Sequence, residues 1–230
     1  MPVAIVTGAS RGFGHAVAAD LAKSGWDLII DGRRSGPLTD KAEALSALGV
    51  EVRAFAGDIT DPSHRDALVE AAGAWGRLDL VVNNASTLGP SPLPKLAQYP
   101  LRALARVYEV NVLAPLALVQ RALPLLRRSR GTVVAISSDA AVAAYEGWGG
   151  YGSSKAALDQ LHHVLAIEEP RLRVYRFDPG DMRTAMHQDA FPGIDISDRP
   201  EPESVVPALR LLLESAPPSG RYGAGEWMES

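Results

Sequence analysis

The stretch Val3-Ala4-Ile5-Val6-Thr7-Gly8-Ala9-Ser10-Arg11-Gly12-Phe13-Gly14 decides the architecture. Val3 to Thr7 is short, apolar and β-branched, as expected of a strand buried on both faces. It runs into a turn with glycines at 8, 12 and 14. A helical stretch follows from Gly12 to Lys23, with Phe13, Val17 and Leu21 at four-residue spacing on one face. Glycines between a strand and a helix let the backbone turn tightly and approach a pyrophosphate, whose charge then sits at the helix N-terminus. This turn is therefore expected to bind a nucleotide.

Outward from it the same alternation repeats. Leu28 to Asp31, Val50 to Ala56, Leu78 to Val82, Thr132 to Ser137 and Leu172 to Phe177 read as further strands. Helices are expected over Asp40 to Leu48 (closed by Gly49), Pro62 to Trp75, a long region Leu96 to Arg128, Tyr151 to Glu168 and Glu203 to Ser215, before a Pro/Gly-rich tail. Apolar strands separated by helices imply a mostly parallel sheet covered on both faces. No linker interrupts the pattern, so the expectation is one doubly wound α/β domain over 1–230. A short loop at about 185–202 is the one irregular insertion.

Composition removes several function classes. The 230 residues contain no Cys, which excludes disulfide scaffolds, thiolate metal sites and cysteine nucleophiles. Net charge is −4, and nothing in that balance suggests a nucleic-acid or anionic-membrane partner. The apolar run Leu113 to Val119 is interrupted by Pro115 and far too short to span a bilayer. Met1 is followed by neither a basic segment nor a long apolar one, so a cytoplasmic location is expected. His15, His162 and His163 have no ligand-like spacing and are expected on helix surfaces; no metal is expected. Of the 23 basic residues only four are lysines: Lys23, Lys41, Lys95 and Lys155.

In sheets of this kind a ligand lies beyond the carboxyl ends of the strands. Those ends are polar here: Gly57-Asp58, Asn83-Asn84-Ala85-Ser86, Ser137-Ser138 and Asp178-Pro179-Gly180. Among six tyrosines only Tyr151 has a lysine four residues on, Lys155, which places the two one helical turn apart on one face. An ammonium there favours the phenolate and is expected to lower the tyrosine pKa from about 10 toward neutrality, poising a general acid/base.

Taken together, Thr7-Gly8-x-x-x-Gly12-x-Gly14, Asn83-Asn84-Ala85, Asn111, Ser138, Tyr151-x-x-x-Lys155 and Pro179-Gly180-x-x-x-Thr184 resemble the ordered motifs of short-chain dehydrogenases/reductases. The resemblance covers essentially the whole chain. It implies a Rossmann-type fold and an NAD(P)-dependent oxidoreductase interconverting a ketone or aldehyde and an alcohol. By that resemblance Tyr151 is the general acid/base and Ser138 stabilises the carbonyl oxygen. Lys155 holds the nicotinamide ribose, and Asn111 anchors a water for proton relay. The cofactor would be bound by Gly8, Ser10, Arg11, Gly12, Phe13, Gly14, Arg33, Asp58, Ile59, Asn84, Ala85, Tyr151, Lys155, Pro179, Gly180, Met182 and Thr184. A homodimer or homotetramer is also implied.

Two readings of the cofactor stay open. Asp31 lies 17 residues after Gly14, as in enzymes that bind the ribose 2′-hydroxyl of NAD. In the family register, however, the acid position is Gly32, followed by Arg33 and Arg34, and with Arg11 these guanidiniums favour the 2′-phosphate of NADP. Two residues depart from the family pattern: Ser86 stands where Gly is usual, and Asp139 follows Ser138. Ser86, Tyr145, Trp148 and Met186, with His187, Phe191 and Ile194, suggest an apolar, aromatic substrate pocket for a hydrophobic or ring-containing carbonyl or alcohol. A non-catalytic dinucleotide-binding regulator on the same fold is the alternative.

Overall fold

The computed structural model describes residues 1–228. Its sheet is built from β1 (Val3–Val6), β2 (Asp27–Gly32), β3 (Val52–Ala56), β4 (Leu80–Asn83), β5 (Thr132–Ile136), β6 (Arg173–Asp178) and β7 (Gly220–Gly223). The spatial order is β3-β2-β1-β4-β5-β6-β7, and every neighbouring pair is parallel. The chain moves outward from β1 to β3, then returns to place β4 on the other side of β1. That reversal opens a crevice at the carboxyl ends of β1 and β4, where ligands of doubly wound sheets bind.

Two apolar layers sandwich the sheet. α1 (Gly12–Lys23) and α8 (Pro202–Ser215) cover one face, burying Val17, Leu21, Leu209 and Leu212 against Ala4, Val6, Leu28 and Ile30. On the other, α3 (Pro62–Ala74) and α5 (Ala114–Ser129) bury Leu68, Leu118, Ala122 and Leu126 against Val3, Ile5, Val81 and Val133. Alternate strand residues feed the two layers because successive side chains point to opposite faces.

Four features differ from the sequence expectation, the first being that the expected loop at 185–202 opens with a helix, α7 (Ala185–Ala190), capped by Thr184 Oγ1 accepting from the His187 N–H at 3.1 Å. α2 spans Ser35–Ser46, not Asp40 onward: Pro37 falls in the first turn, where a backbone donor is not required. The long region from Leu96 is divided into a 3₁₀ turn (Leu96–Gln98), α4 (Leu101–Tyr108), a π turn (Glu109–Leu113) and α5. The run Leu101–Ser129 is long and apolar enough to cross a membrane by length and composition alone. Its apolar residues Val107, Val110, Leu118, Leu125 and Leu126 are nevertheless buried within the protein. Finally, the tail is not loop. β7 pairs Tyr175 with Gly220 and Arg176 with Arg221, and α9 (Gly225–Met228) follows.

Candidate active site

The Gly-rich turn is fixed from three sides. Gly8 and Gly12 have φ of +67° and +57°, the left-handed region that favours glycine. A Cβ at Gly14 would stand 2.3 Å from Asn84 Nδ2 and 2.7 Å from the Gly8 carbonyl oxygen, so α1 can approach only without a side chain there. Asn84 Nδ2 donates to the carbonyls of Thr7 (2.8 Å) and Gly8 (3.3 Å). Asp31 closes the third side: its Oδ1 accepts from the Gly8 N–H at 2.6 Å, while Oδ2 meets His64 Nε2 of α3 at 3.1 Å. Asp31 borders the cavity that adjoins this turn but is only 2% exposed, and both its carboxylate oxygens are engaged within the protein.

From this turn a cavity of about 610 Å³ runs along the strand ends to Ser138, Tyr151 and Lys155. Gly8, Ser10, Arg11, Gly12, Phe13, Arg33, Asp58, Ile59, Asn84, Ala85, Pro179, Gly180, Met182 and Thr184 all line it, as do Ser86, Trp148 and Met186. Five residues expected at the site, Gly14, Asn111, Tyr145, Phe191 and Ile194, do not. Gly14 is packed beneath the turn against Asn84. Asn111 is buried behind the wall at 1% exposure. Tyr145 is 49% exposed and outside the lining, its hydroxyl donating at 2.8 Å to Oδ2 of Asp139, which borders the cavity. Ile194 is likewise exposed and outside the lining.

At one end of the cavity Asp58 is ion-paired with Arg106 of α4. Burial tends to raise its carboxyl, but hydrogen bonds from Thr60 and Arg106 hold it below the ordinary carboxylate range. Arg11 and Arg33 are exposed on the cavity wall and form no ion pair among the described residues. A Cβ at Gly32 would crowd Ser10 at 3.0 Å, which leaves no room for an acid at that position without adjustment.

At the other end α6 (Gly149–Glu168) presents Tyr151 and Lys155. The Tyr151 ring packs edge-on against Trp148, centroids 5.7 Å apart, and Trp148 in turn rests on Phe191 at 5.9 Å. Burial pushes the Tyr151 phenol well above its ordinary value, and Asp178 and Asp139 add to this; hydrogen bonding with Ser86 and Ser138 acts in the opposite direction. The expected shift toward neutrality is therefore not what the structure holds. Lys155 Nζ lies 5.5 Å from the tyrosine ring centroid and donates to the Ile136 carbonyl at 2.7 Å. Burial lowers Lys155 itself to about 8, against the opposing pull of Asp159 and Asp178.

Asn111 sits in the π turn between α4 and α5, a helix irregularity frequent at functional sites. Its side chain is fully occupied. Oδ1 accepts from Ser86 Oγ (3.1 Å) and the Thr87 N–H (2.9 Å), and Nδ2 donates to the Thr87 carbonyl and Ser154 Oγ, each at 2.9 Å. Ser86 thus has a place: its hydroxyl bridges the tyrosine and Asn111. Of the two serines ending β5, Ser137 donates to Asp159 Oδ2 at 2.8 Å and is buried. Ser138 Oγ is directed to Asp139 Oδ1 at 3.0 Å, beside the phenol.

Sequence reasoning missed several participants. His162 is not on a surface: it is 1% exposed, lies between the Leu158 carbonyl and Asn83, and burial lowers it to about 4. Its seven-residue step from Lys155 along α6 is the signal that marks the buried face. Arg106 and His64 reach the site only through tertiary packing, as does Arg221 of β7. No three His, Asp or Glu side chains come together as a metal site among the described residues.

Comparison with known proteins agrees with this geometry. Residues 2–195 match the profile of the family described as short chain dehydrogenase. The chain belongs to that family. Sepiapterin reductase from Rattus norvegicus is 36% identical over 199 residues, 81% of this chain and 76% of its own length. A benzil reductase forming (S)-benzoin, from Saccharomyces cerevisiae, is 35% identical over 196 residues, covering 81% of this chain and 74% of that one. Among solved structures, an alcohol dehydrogenase from Thermococcus sibiricus complexed with 5-hydroxy-NADP superposes with TM-score 0.88 at 28% identity, covering 97% of this chain and 95% of that one. A Shigella flexneri short chain dehydrogenase complexed with NADP gives 0.90 at 31% identity, covering 97% of each. As a short-chain dehydrogenase the protein is an NAD(P)-dependent oxidoreductase acting on CH–OH and C=O groups. Its seven-stranded parallel sheet flanked by helices is the Rossmann-type fold.

Proposed function

We propose that this short-chain dehydrogenase is an NADPH-preferring reductase of hydrophobic or ring-containing carbonyls, with Tyr151 as proton donor. The observation that carries the reading is one cavity with Arg11 and Arg33 on its wall near the Gly-rich turn and Ser138, Tyr151 and Lys155 at the far end. The residues present fit a dinucleotide: Gly8, Ser10, Gly12 and Phe13 of the turn line the cavity, Gly8 and Gly12 in the left-handed conformation, and the cavity continues to the tyrosine. Gly8, Ser10, Gly12 and Phe13 would take the pyrophosphate, Asp58 and Ile59 the adenine end, and Lys155, Asn84, Ala85, Pro179, Gly180, Met182 and Thr184 the nicotinamide end. When bound, the reduced nicotinamide supplies a hydride to the carbonyl carbon. Tyr151 gives its phenolic proton to the carbonyl oxygen, and Ser138 turns its hydroxyl from Asp139 to that oxygen as negative charge develops. Trp148 and Met186, with Leu88, shape the wall against which an apolar substrate packs. The enzyme is further proposed to be a cytoplasmic homodimer or homotetramer.

The preference for NADPH rests on Asp31, whose two oxygens already have protein partners, and on the exposed guanidiniums of Arg11 and Arg33. Wild-type kcat/KM is expected to be at least about tenfold higher with NADPH than with NADH, since one charge-assisted guanidinium–phosphate contact is worth about 1.5–3 kcal/mol. Arg33→Ala should erase most of that ratio while leaving NADH kinetics nearly unchanged. A clear NADH preference in the wild type would overturn the assignment. The same assay with benzil and with pyruvate tests the substrate class. Turnover is expected for the diaryl diketone, and activity confined to the small keto acid contradicts the reading.

The lowered lysine adds a pH dependence. kcat/KM for NADPH reports ionisations of the free enzyme. Lys155 carries its charge below about 8 and loses it above, so that ratio should stay level through neutrality and decline as pH rises past about 8. In Lys155→Met the decline at that position should vanish. A wild-type profile level up to pH about 10, the ordinary lysine range, would show that Lys155 is not the group that matters.

A further inference from the structure

Arg221 lies on β7, beyond the segment 2–195 matched to the family, yet its guanidinium reaches the centre of the site. Nη2 donates to the Ser138 carbonyl at 2.9 Å and to Asp178 Oδ2 at 3.0 Å, while Nε donates to Asp159 Oδ2 at 3.1 Å. One side chain therefore joins the end of β5, the end of β6 and the turn of α6 that follows Lys155.

The contact with Ser138 comes where the sheet stops. The last ladder bond between β5 and β6 is the Ser137 N–H to the Phe177 carbonyl, at 2.7 Å. The next residue, Ser138, is held by Arg221 in place of a strand neighbour, with the Ala141 N–H as the carbonyl's other donor at 3.0 Å. The planar fork of an arginine suits this task because several donors leave one rigid group in fixed directions. The charge is matched too. Asp159 and Asp178 are both largely buried and both lie near Lys155, and Arg221 supplies the cation that pairs with each. The other charged or titratable groups around this cluster are Tyr151 and His162 on α6, Asp139 after β5 and Arg176 on β6.

We propose that Arg221 is a positioning residue of the active centre, acting through the Ser138 backbone to aim the serine hydroxyl at the carbonyl oxygen. The proposal rests on the role given to Ser138 above. Tying the catalytic serine to the C-terminal strand also makes completion of β7 a condition for an ordered active site.

The test is a double-mutant cycle between Arg221→Met and Ser138→Ala in the full chain, assayed with NADPH and benzil. Arg221→Met alone should lower kcat more than about tenfold, whereas in the Ser138→Ala background it should change kcat less than about twofold, because groups that act as a unit are strongly non-additive. Arg221→Lys keeps the charge but loses the fork and should fall between wild type and Arg221→Met. It carries the same cycle if Arg221→Met does not fold. Amide exchange of the segment Ser137–Ala141 should be faster in the Arg221 variants, whether or not substrate turns over. Equal losses from Arg221→Met in both backgrounds, or unchanged exchange and kcat, would overturn the inference. If Ser138→Ala is itself as active as the wild type, the role given to Ser138 fails. If Ser138→Ala is impaired and Arg221→Met is not, only the inference about Arg221 fails.

Discussion

Tyr151→Phe is expected to reduce kcat by about 10²–10⁴-fold, the usual contribution of a positioned general acid. The fold should survive. The ring keeps its edge-on contact with Trp148, and the hydroxyls that lose the phenol retain other partners, Asn111 for Ser86 and Asp139 for Ser138. No buried donor is thus stranded, and the melting temperature should move by no more than a few degrees. Binding of NADPH, followed by fluorescence, should be close to wild type, because the missing atom faces the carbonyl. Loss of turnover together with loss of cofactor binding would instead point to a collapsed site.

Lys155→Met carries an effect of similar size on turnover and the opposite sign on stability. Without the ammonium, the ribose end of the site loses its donor and the tyrosine its neighbouring cation, so kcat/KM should fall at least about 10²-fold. The buried ammonium is costly in the folded protein. Its displacement from 10.5 to about 8 corresponds to roughly 3 kcal/mol at neutral pH, at about 1.4 kcal/mol per unit. Methionine removes that cost but leaves the Ile136 carbonyl without its donor, a loss of about 1–2 kcal/mol. The variant should therefore melt a few degrees higher at pH 7. The sign is set by linkage. The wild-type penalty is fully present below the folded value of about 8, and fades as pH rises toward 10.5, where the unfolded lysine also loses its proton. The difference in melting temperature between the two proteins should shrink over that range. A variant less stable than wild type at pH 7 would show that the amine is held more favourably than its burial implies.

Local constraints made much of the site legible. The turn at residues 8–14 could be read because glycine is demanded by backbone conformation at Gly8 and Gly12 and by contact at Gly14. Tyr151 and Lys155 could be read because helical period alone places them on one face. Side-chain direction at a strand end could not. Asp31, one of the two cofactor readings, has its oxygens on Gly8 and His64, and the Tyr145 hydroxyl goes to Asp139; neither contact shows in the sequence. Tertiary partners were equally hidden. Gly220–Gly223 has no apolar alternation and becomes a strand only by pairing with β6, so nothing local announced that Arg221 would meet Ser138. The tyrosine shift was misjudged for a related reason: the spacing shows the lysine, but not the Trp148 cover nor the Ile136 carbonyl that accepts the ammonium's hydrogen bond.

The central claim is that a carbonyl is reduced at this cavity with Tyr151 as its proton donor. Incubation with benzil and NADPH carrying deuterium at both C4 positions of the nicotinamide, followed by mass spectrometry of the alcohol, is the decisive measurement. One deuterium is expected on the carbinol carbon with the wild type, and at most about a hundredth of that rate with Tyr151→Phe. Cofactor oxidation without deuterium in the product, or equal transfer by Tyr151→Phe, would contradict it.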